Sequence, residues 1–522
     1  FSLACTDLTS PNGAVIPAEQ VSLLRVGYVP VTMPSDPTGV VAPWPDPLPP
    51  QAAPMTLAAG ENQPFWVRVK TAPGTPAGEY RGKLLLNGDG CGKSVDLEVR
   101  VFGFTLPDRM TCTTAFGMNT EHPFNYHGAA SEDDRRRVVD LYHRALSEHH
   151  ISPYDPAPLD PFTVKWPDIS PENPPASPDS LEVNIDWVRY DAAMARAFEE
   201  FHFNTFAVPI RGMGGGTFHS RHEPELLGFG KDSPVFQKLF TDYCQQVQGH
   251  LREKGWLKDG FVYWFDEPEP RDYEFVMDGF RRLKEAAPDI PRMLTEEIQP
   301  ELLGGPNIWC PLTPALDMEA ARARQALGEV IWWYVCTGPR APYATLFIDH
   351  PGTEMRVWLW QTWERGVQGL LVWETLLWTS PTAYPDPDAP QNPYLDPMGW
   401  AYSYGIQPGV RQPWGNGDGR FLYPPESAAD GKPAGPVFDP PVDTIRIEML
   451  RDGIEDYEYM ALLRRALEEK GDRLAPAVKA EYEALLTVPA EITTSLTEFT
   501  KDPAPIEAHR RKVAGALEAL GR

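Results

Sequence analysis

The stretch Phe261-Val262-Tyr263-Trp264-Phe265-Asp266-Glu267-Pro268 is an apolar run that ends in two carboxylates and a proline. A helical pattern over residues 273–287 follows it. An apolar run of this length followed by a helix is typical of one β–α unit in a parallel sheet. Runs of the same kind recur on both sides of it, with helical patterns between most of them. The predicted strands are 113–118, 151–154, 205–208, 261–265, 291–294, 307–310, 330–335 and 369–373.

Eight β–α units predict a (β/α)8 TIM barrel over residues 108–465. A doubly wound sheet is the rival fold, but it would require a glycine-rich phosphate turn near the first strand, and none is present there. The stretch 379–440 is rich in Pro, Gly and Asp. We interpret it as a long loop before the last barrel helix, with a functional or lid role, because loops of that length are uncommon otherwise.

Outside the predicted barrel the pattern of apolar and turn-forming residues is different. Short strand-like runs at 21–28, 65–69, 83–86 and 95–99 are separated by Pro and Gly clusters. This spacing predicts an N-terminal β-sandwich over residues 1–107. Residues 466–522 are predicted to form a helical C-terminal segment. The chain is therefore expected to be multidomain, as its 522 residues already suggest.

Composition narrows the possible functions. There are 47 Lys and Arg against 73 Asp and Glu, a net charge of −26, which argues against nucleic-acid and anionic-membrane partners. No run of 18 apolar residues occurs, so no membrane span is predicted. The six cysteines are scattered without a CxxC pair, and we predict neither a metal site nor a cofactor. Cys5 and Cys91 could form a disulfide, or all six could be free thiols. The oligomeric state is left open.

The two carboxylates after residue 265 are the sharpest chemical signal. Reactive side chains of a TIM barrel lie at the carboxyl ends of its strands, where Asp266 and Glu267 are predicted to be. Aromatic neighbours would raise the pKa of one acid while the other stays ionised, which is the arrangement used for glycoside cleavage. The alternative is a solvated acidic turn without chemistry.

Adjacency suggests how the two acids divide the work. Neighbouring side chains cannot easily lie on both sides of a sugar ring as acid and nucleophile. They suit substrate-assisted cleavage instead, in which Glu267 protonates the leaving oxygen and Asp266 holds a 2-acetamido group whose oxygen attacks the anomeric carbon. Glu267 then deprotonates the incoming water.

Other predicted strand ends supply candidate substrate-binding residues. Trp333, Tyr334 and Trp373 could stack on sugar faces, although tryptophans at barrel strands are more often core. Asn119 could bind a hydroxyl. Glu374 could be a second acid for a conventional retaining mechanism, and Glu296 a second candidate, although a plain rim charge is the simpler interpretation of Glu296.

Several segments together form a recognisable set of motifs, namely 44–48, 62–66, 76–82, 265–268, 333–336, 369–373 and 445–459, with Arg356 and Trp360. These motifs resemble those of the family 123 glycoside hydrolases, which join an N-terminal β-sandwich to a TIM barrel. The resemblance implies a retaining β-N-acetylgalactosaminidase-like enzyme, with Asp266 orienting the acetamide and Glu267 as acid/base. Glu374 departs from the family pattern, in which a small or polar residue tends to follow the tryptophan of the last strand.

Three hypotheses follow. The first is an exo-acting retaining hexosaminidase that uses Asp266 and Glu267 on a carbohydrate substrate. The second is a glycosidase acting on a sugar without an acetamide, with Glu374 or Glu296 as the protein nucleophile. The third is a non-catalytic carbohydrate-binding scaffold. By analogy with sandwich-plus-barrel glycosidases that act on polymers, we expect a secreted or cell-envelope protein.

Overall fold

The computed structural model describes residues 1–51, 54–217, 220–380, 391–402 and 411–521. The chain is multidomain, with strands alone over the first hundred residues and strands mixed with helices afterwards. Strands and helices are numbered in chain order. The N-terminal strands are β1 Ser2–Cys5, β2 Leu8–Thr9, β3 Val15–Ile16, β4 Val21–Arg25, β5 Tyr28–Val31, β6 Ala42–Pro45, β7 Phe65–Val69, β8 Gly78–Gly88 and β9 Cys91–Val101.

The remaining strands begin at residue 113. They are β10 Thr113–Phe116, β11 Ser152–Pro153, β12 Thr163–Lys165, β13 Asn184–Asp186, β14 Phe206–Ala207, β15 Gly215–Thr217, β16 Ser220–His222, β17 Glu225–Leu226, β18 Phe229–Gly230, β19 Gly260–Phe261, β20 Phe265–Asp266, β21 Met293–Leu294, β22 Ile308–Trp309, β23 Val330–Tyr334, β24 Gly369–Val372, β25 Trp400–Tyr402 and β26 Arg411–Pro413. The helices are α1 Glu121–Tyr126, α2 Glu132–Glu148, α3 Val188–Glu199, α4 Pro234–Glu253, α5 Tyr273–Ala286, α6 Met318–Gln325, α7 Thr353–Glu364, α8 Ile445–Lys470, α9 Pro476–Ala484 and α10 Ala504–Ala519.

The N-terminal strands are antiparallel. A five-stranded sheet has the order β1-β8-β2-β3, with β9 also paired to β8, and β4–β7 and β5–β6 form two further pairs. Leu8, Ile16, Val21 and Tyr80 are buried in its core. The register sets Cys5 opposite Leu84. Cys5 is a free thiol that donates to the Thr6 carbonyl at 3.2 Å, so the possible disulfide with Cys91 is not formed; the side chain of Cys91 is not among those described.

Strands β10 to β24 carry the parallel pairing that the sequence predicts. Six of them form a parallel sheet in the order β11-β10-β24-β23-β22-β21. Strands β14 and β19 form a parallel pair, and a parallel bridge joins Val262 to Arg292. Seven of the eight predicted strands contain an observed one, whereas the predicted strand 261–265 overlaps the end of β19 and the start of β20. Their carboxyl ends are where side chains from different strands can meet.

Several of the helices bury an apolar face. In α5 the buried side chains recur at helical spacing, at Phe275, Val276, Phe280 and Leu283. The 26-residue helix α8 is buried along most of its length. Its buried acidic side chains, Glu448, Asp456 and Glu458, are therefore paired. Asp456, for example, accepts from the Arg356 guanidinium and from the Trp360 indole.

A buried ion pair ties the N-terminal part of the chain to α8. The Arg446 guanidinium donates Nε to Asp46 Oδ1 at 2.8 Å and Nη2 to Oδ2 at 3.0 Å. The Tyr423 hydroxyl donates to the same carboxylate at 2.9 Å. Asp46 and Arg446 are 0% and 2% exposed, so the two charges depend on each other for compensation.

A second link runs through a buried histidine. His350 Nε2 lies 3.1 Å from Asp36 Oδ2, and its Nδ1 lies 3.3 Å from Glu354 Oε2. Burial alone would lower the pKa of His350. The hydrogen bond to Glu354 and the charges of Glu354, Asp36 and Asp349 together raise it. The imidazolium form is therefore favoured where the N-terminal segment meets α7.

The long loop over 379–440 is partly described. It contains the β25–β26 hairpin and a glycine-rich turn over 414–420. Residues 381–390 and 403–410 lie outside the described residues, and the lid role stays a prediction. Within the described part of the chain, no helix has both the length and the apolar character needed to cross a membrane.

Candidate active site

Asp266 is the last residue of β20 and is held by two hydroxyl groups. The Tyr263 hydroxyl donates to Asp266 Oδ1, and the Thr295 hydroxyl donates to the same oxygen at 2.9 Å. Thr295 follows β21, the neighbouring strand along the chain. Among the described residues, both donors use Oδ1, so the orientation of the carboxylate is fixed while Oδ2 can accept from a ligand.

Glu267 turns the chain out of the strand. Its φ of +45° lies in the left-handed region, which side-chain-bearing residues adopt rarely and at an energetic cost. Its backbone N–H donates to Thr295 Oγ1 at 3.0 Å. One threonine hydroxyl therefore fixes both acids, and the unusual backbone angle redirects the Glu267 side chain toward its partner on β23.

That partner is Tyr334, whose hydroxyl donates to Glu267 Oε1. Burial raises the pKa of Glu267, and the charges of Asp266 and Glu297 raise it further, while the Tyr334 hydrogen bond opposes them. Burial and the Glu267 charge also raise the pKa of Tyr334 far above its usual value, so the phenol stays a neutral donor. A carboxyl held with a raised pKa can act as a general acid near neutral pH.

Glu374 and Asn119 lie at the ends of two other strands and contact each other. Glu374, 7% exposed, accepts the backbone N–H of Asn119 at 3.1 Å and those of Thr375 and Leu376 at 2.8 Å. Burial raises its pKa, and these three bonds oppose the rise. The contacts tie the loop after β10 to the loop after β24. The Asn119 side chain is exposed, and its Oδ1 accepts from the Glu121 N–H at 3.1 Å.

The structure separates the two candidate tryptophans. Trp333 is fully buried, and its indole donates to Thr362 Oγ1 at 3.1 Å. Because strand side chains alternate, it faces away from Tyr334 and the two acids. Trp373 is partly exposed at the end of β24, and its indole donates to Asp418 Oδ2 at 3.0 Å.

Glu296 lies two residues after β21. Burial and the neighbouring Glu297 raise the pKa of Glu296 to about 8, and the Tyr273 hydroxyl donates to it at 3.2 Å. The charge of Glu297 in turn acts on Glu267. The structure thus brings Tyr334 into direct contact with Glu267, which is next to Asp266 in the chain. The Glu296–Glu297 pair is near enough for the Glu297 charge to act on Glu267.

Several residues of the site were missed from the sequence. Tyr263 and Thr295 hold Asp266, and Asp418 holds Trp373. Tyr154 ends the second predicted strand, and its hydroxyl is buried without a hydrogen-bond partner among the described residues. Burial raises its pKa, with the nearby Cys310 thiol and the Asp266 and Glu374 carboxylates contributing. The strand-end rule could have found Tyr154 and Thr295, but nothing local points to Asp418.

One other cluster has the donor set of a metal site. Ligand atoms of His149, Asp443 and Glu448 lie within 4.8 Å of one another. Arg68 already donates to Asp443 at 2.6 Å and to Glu448 at 2.7 Å, and Arg451 lies 2.8 Å from Glu448. The two guanidinium groups supply the positive charge that a metal would bring, so the cluster serves as an ionic link between β7 and α8.

Residues 221–463, which contain both acids, match the family model described as the glycoside hydrolase 123 catalytic domain. Residues 221–463 are therefore similar to a glycoside hydrolase 123 catalytic domain. The resemblance found in the sequence motifs is confirmed, and the protein is a glycoside hydrolase whose substrates are carbohydrates. No curated protein sequence matches the chain.

Solved structures agree with this assignment at the level of fold. A family 123 glycoside hydrolase from Clostridium perfringens, described in terms of glycolipid glycan hydrolysis, has a TM-score of 0.64 at 17% identity, covering 100% of this chain and 89% of that chain. A β-glucuronidase from Parabacteroides merdae matches with a TM-score of 0.24 at 8% identity, over 71% of this chain and 46% of its own. An endo-β1,6-glucanase matches with a TM-score of 0.29 at 10% identity, over 66% and 75%. The last two likenesses are too distant to support an argument.

Proposed function

We propose that this glycoside hydrolase is a retaining exo-β-N-acetylhexosaminidase, similar to β-N-acetylgalactosaminidases, that works by substrate-assisted catalysis. The observation that carries the proposal is the pair Asp266 and Glu267, adjacent in sequence but held in different environments. Asp266 accepts two hydroxyl donors on one oxygen. Glu267 is half-buried with a raised pKa. The first suits a fixed anionic acceptor and the second a proton donor.

In the first step the Glu267 carboxyl protonates the glycosidic oxygen as the C1–O bond breaks. The acetamido oxygen of the substrate attacks C1, and the amide N–H donates to the Asp266 carboxylate, which stabilises the oxazolinium ion that forms. In the second step the Glu267 carboxylate takes a proton from water as the water attacks C1 and reopens the ring. Two inversions at C1 give a product with retained configuration.

The contacts of the other acids favour the acetamide over a protein nucleophile. Glu374 uses its carboxylate to accept three backbone N–H groups that join two loops. Burial and the neighbouring Glu297 raise the pKa of Glu296, which favours its protonated form and makes it a poorer nucleophile. Either residue would have to change its state to attack C1, whereas the Asp266–Glu267 pair is already arranged for the assisted reaction.

We assign the substrate contacts to the residues around this pair. Tyr334 contacts Glu267 directly, Trp373 at the end of β24 would offer a face for sugar stacking, and Asn119 offers an exposed amide. Trp333 and Glu374 would support these contacts without touching the sugar. Trp333 is fully buried, and the Glu374 carboxylate accepts backbone N–H groups. No cofactor is needed for this chemistry.

The same proposal includes the architecture. A (β/α)8 barrel preceded by a β-sandwich and followed by a helical segment accounts for the parallel pairing of β10, β11 and β21 to β24 and of β14 with β19. The Val262–Arg292 bridge and the bond from the Ala207 N–H to the Tyr154 carbonyl at 2.8 Å support closure of the ring. Action outside the cytoplasm, by analogy with polymer-degrading glycosidases, belongs to the proposal too.

The test is hydrolysis of a panel of aryl glycosides by the parent protein, Glu267→Gln and Asp266→Asn. Activity on the β-GalNAc or β-GlcNAc member should fall by about 10²–10⁴-fold in Glu267→Gln and fall strongly in Asp266→Asn. Glu269→Gln is the matched control, because Glu269 is an exposed carboxylate on the same turn and should keep parental activity.

Two results would count against the mechanism. Cleavage only of sugars that lack an acetamide would assign the nucleophile to Glu374 or Glu296, and either Glu374→Gln or Glu296→Gln would then abolish activity. A thiazoline that mimics the cyclised intermediate should inhibit the parent strongly, and weak inhibition alongside robust turnover would contradict the assisted reaction.

A further inference from the structure

The loop Trp414-Gly415-Asn416-Gly417-Asp418-Gly419-Arg420 is shaped by glycine. Gly417 and Gly419 have φ values of +77° and +71°, which side-chain-bearing residues rarely adopt. A Cβ on Gly417 would lie 2.6 Å from the Ile348 side chain, and one on Gly419 would lie 2.8 Å from the Trp373 ring. The backbone of this loop therefore lies directly against the indole at the end of β24.

Asp418 is an unusual residue for such a loop. It is 1% exposed, and the ion pairs found among the described residues do not include it. Its Oδ2 accepts the Trp373 indole N–H at 3.0 Å. Burial raises the pKa of Asp418 to about 7, partly offset by that bond, the Gly419 N–H and the charges of Arg446 and Arg340. Among the described residues, the Trp373 indole makes the one side-chain hydrogen bond to this carboxyl, which is costly to bury without such a partner.

The indole that Asp418 binds lies near the residue that holds the acid. On the parallel strands β23 and β24, Tyr334 is paired with Leu371, which is two residues before Trp373. The Tyr334 hydroxyl donates to Glu267. Trp373 is therefore at the carboxyl end of the strand next to the one that binds the acid.

The loop is anchored from the N-terminal part of the chain. The Asn416 amide donates to the Met33 carbonyl at 2.9 Å and to Ser35 Oγ at 3.0 Å, and the Asn416 N–H donates to Ser35 Oγ at 2.8 Å. Ser35 Oγ in turn donates to Asp349 Oδ1 at 2.5 Å. The support of Asp418 thus extends across the chain into the N-terminal segment.

We infer that Asp418 is a positioning residue that fixes the Trp373 indole as a rigid wall for a substrate sugar ring. The inference rests on the proposed function. Three contacts hold the ring, namely the Asp418 carboxyl, the Gly419 backbone and the edge of Trp414, whose ring centroid lies 6.4 Å away. A ring held in this way binds a sugar face without first losing rotational freedom, which favours binding more than the chemical step.

The experiment compares Asp418→Leu, which removes the acceptor, with Asp418→Asn, which keeps an acceptor oxygen. Asp418→Leu should raise KM about tenfold and leave kcat within about threefold of the parent, and Asp418→Asn should stay within about threefold in both. Asp456→Asn is the matched control, because buried Asp456 also accepts an indole N–H, from Trp360 at 3.0 Å, but on α8. It should lower the urea midpoint and leave KM unchanged.

A second measurement does not depend on turnover. In a Glu267→Gln background, calorimetric titration with free N-acetylgalactosamine and N-acetylglucosamine should show Asp418→Leu weakening the binding of whichever sugar binds by about tenfold. If the parent hydrolyses no aryl glycoside but this weakening is seen, the proposed function fails and the inference on Asp418 stands. If Asp418→Leu does not fold, Trp373→Phe removes the same hydrogen bond and should raise KM similarly. Parental KM and affinity in Asp418→Leu, or equal losses in Asp418→Leu and Asp418→Asn, would overturn the inference.

Discussion

The hydrogen bond from Tyr334 to Glu267 makes the pH dependence of this enzyme a sharp test of the site. Glu267 must be protonated to act as the acid, so kcat/KM should fall as pH rises through its pKa. The Tyr334 hydroxyl stabilises the ionised form and lowers the pKa of Glu267 against burial and against the Asp266 charge. Tyr334→Phe removes that donor, so the pKa of Glu267 should rise and the basic limb of kcat/KM should move to higher pH.

The size of this shift follows from the burial of the pair. Hydrogen bonds to charged groups contribute about 1.5–3 kcal/mol, and a pKa unit corresponds to about 1.4 kcal/mol. Tyr334 is only 6% exposed, but water can reach the half-buried Glu267 and replace part of the lost bond. We therefore expect a shift of about one pH unit.

Asp266→Asn should move the same limb in the opposite direction. The substitution removes a negative charge that raises the pKa of Glu267, while the amide oxygen can still accept from Tyr263 and Thr295. The assay is kcat/KM of the best aryl glycoside from pH 4 to 9 for both variants. Tyr273→Phe is the control, because its hydroxyl bonds Glu296. Shifts of the same sign in the two variants, or a limb that does not move in either, would refute this account of the acid.

Three further predictions concern folding stability. Asp46→Asn leaves the buried Arg446 charge without its carboxylate and should lower the free energy of unfolding by about 3–5 kcal/mol in urea titrations, and an unchanged midpoint would contradict the pairing. The pKa of His350 is raised in the folded state. Protonated His350 therefore contributes fully to stability below a pH of about 6.5, and this contribution is lost as the pH rises through the folded-state pKa. His350→Gln should abolish that slope in urea midpoints measured between pH 6 and 9. Gly417→Ala should lower the urea midpoint more than Gly328→Ala does. Both variants carry about 1–2 kcal/mol of left-handed backbone strain, but only the Cβ at 417 also clashes with a neighbour, since the space around Gly328 (φ +84°) is open. Equal urea midpoints in the two variants would contradict the packing around Gly417.

Much of this arrangement is predictable from sequence because strand ends are local features. The apolar run before Asp266 identified both the strand and the acids. Side-chain alternation on β23 could also have separated Trp333 from Tyr334, since only one of two neighbouring residues can face the acids. The sequence pattern predicts substrate binding for both Trp333 and Tyr334, whereas the strand directs their side chains to opposite faces of the sheet.

The support of the site could not be predicted in the same way. Thr295 is 29 residues from Asp266, and Asp418 is 45 residues from Trp373. Their roles depend on which loops contact each other in the folded protein. The periodicity of the sequence does not indicate which loops these are. The contacts of Glu374 were equally unpredictable. In sequence this residue is a catalytic candidate, but in the structure its carboxylate accepts backbone N–H groups of two loops.

The pairing of Asp46 with Arg446 also has a consequence for the order in which the protein matures. The two residues are 400 positions apart. At a synthesis rate of about 5–20 residues per second, the segment around Asp46 leaves the ribosome roughly 20–80 s before its partner does. During that interval its carboxylate, which becomes fully buried, remains hydrated. The N-terminal strands can therefore pair among themselves early, but their docking against α8 has to wait until α8 itself has been synthesised.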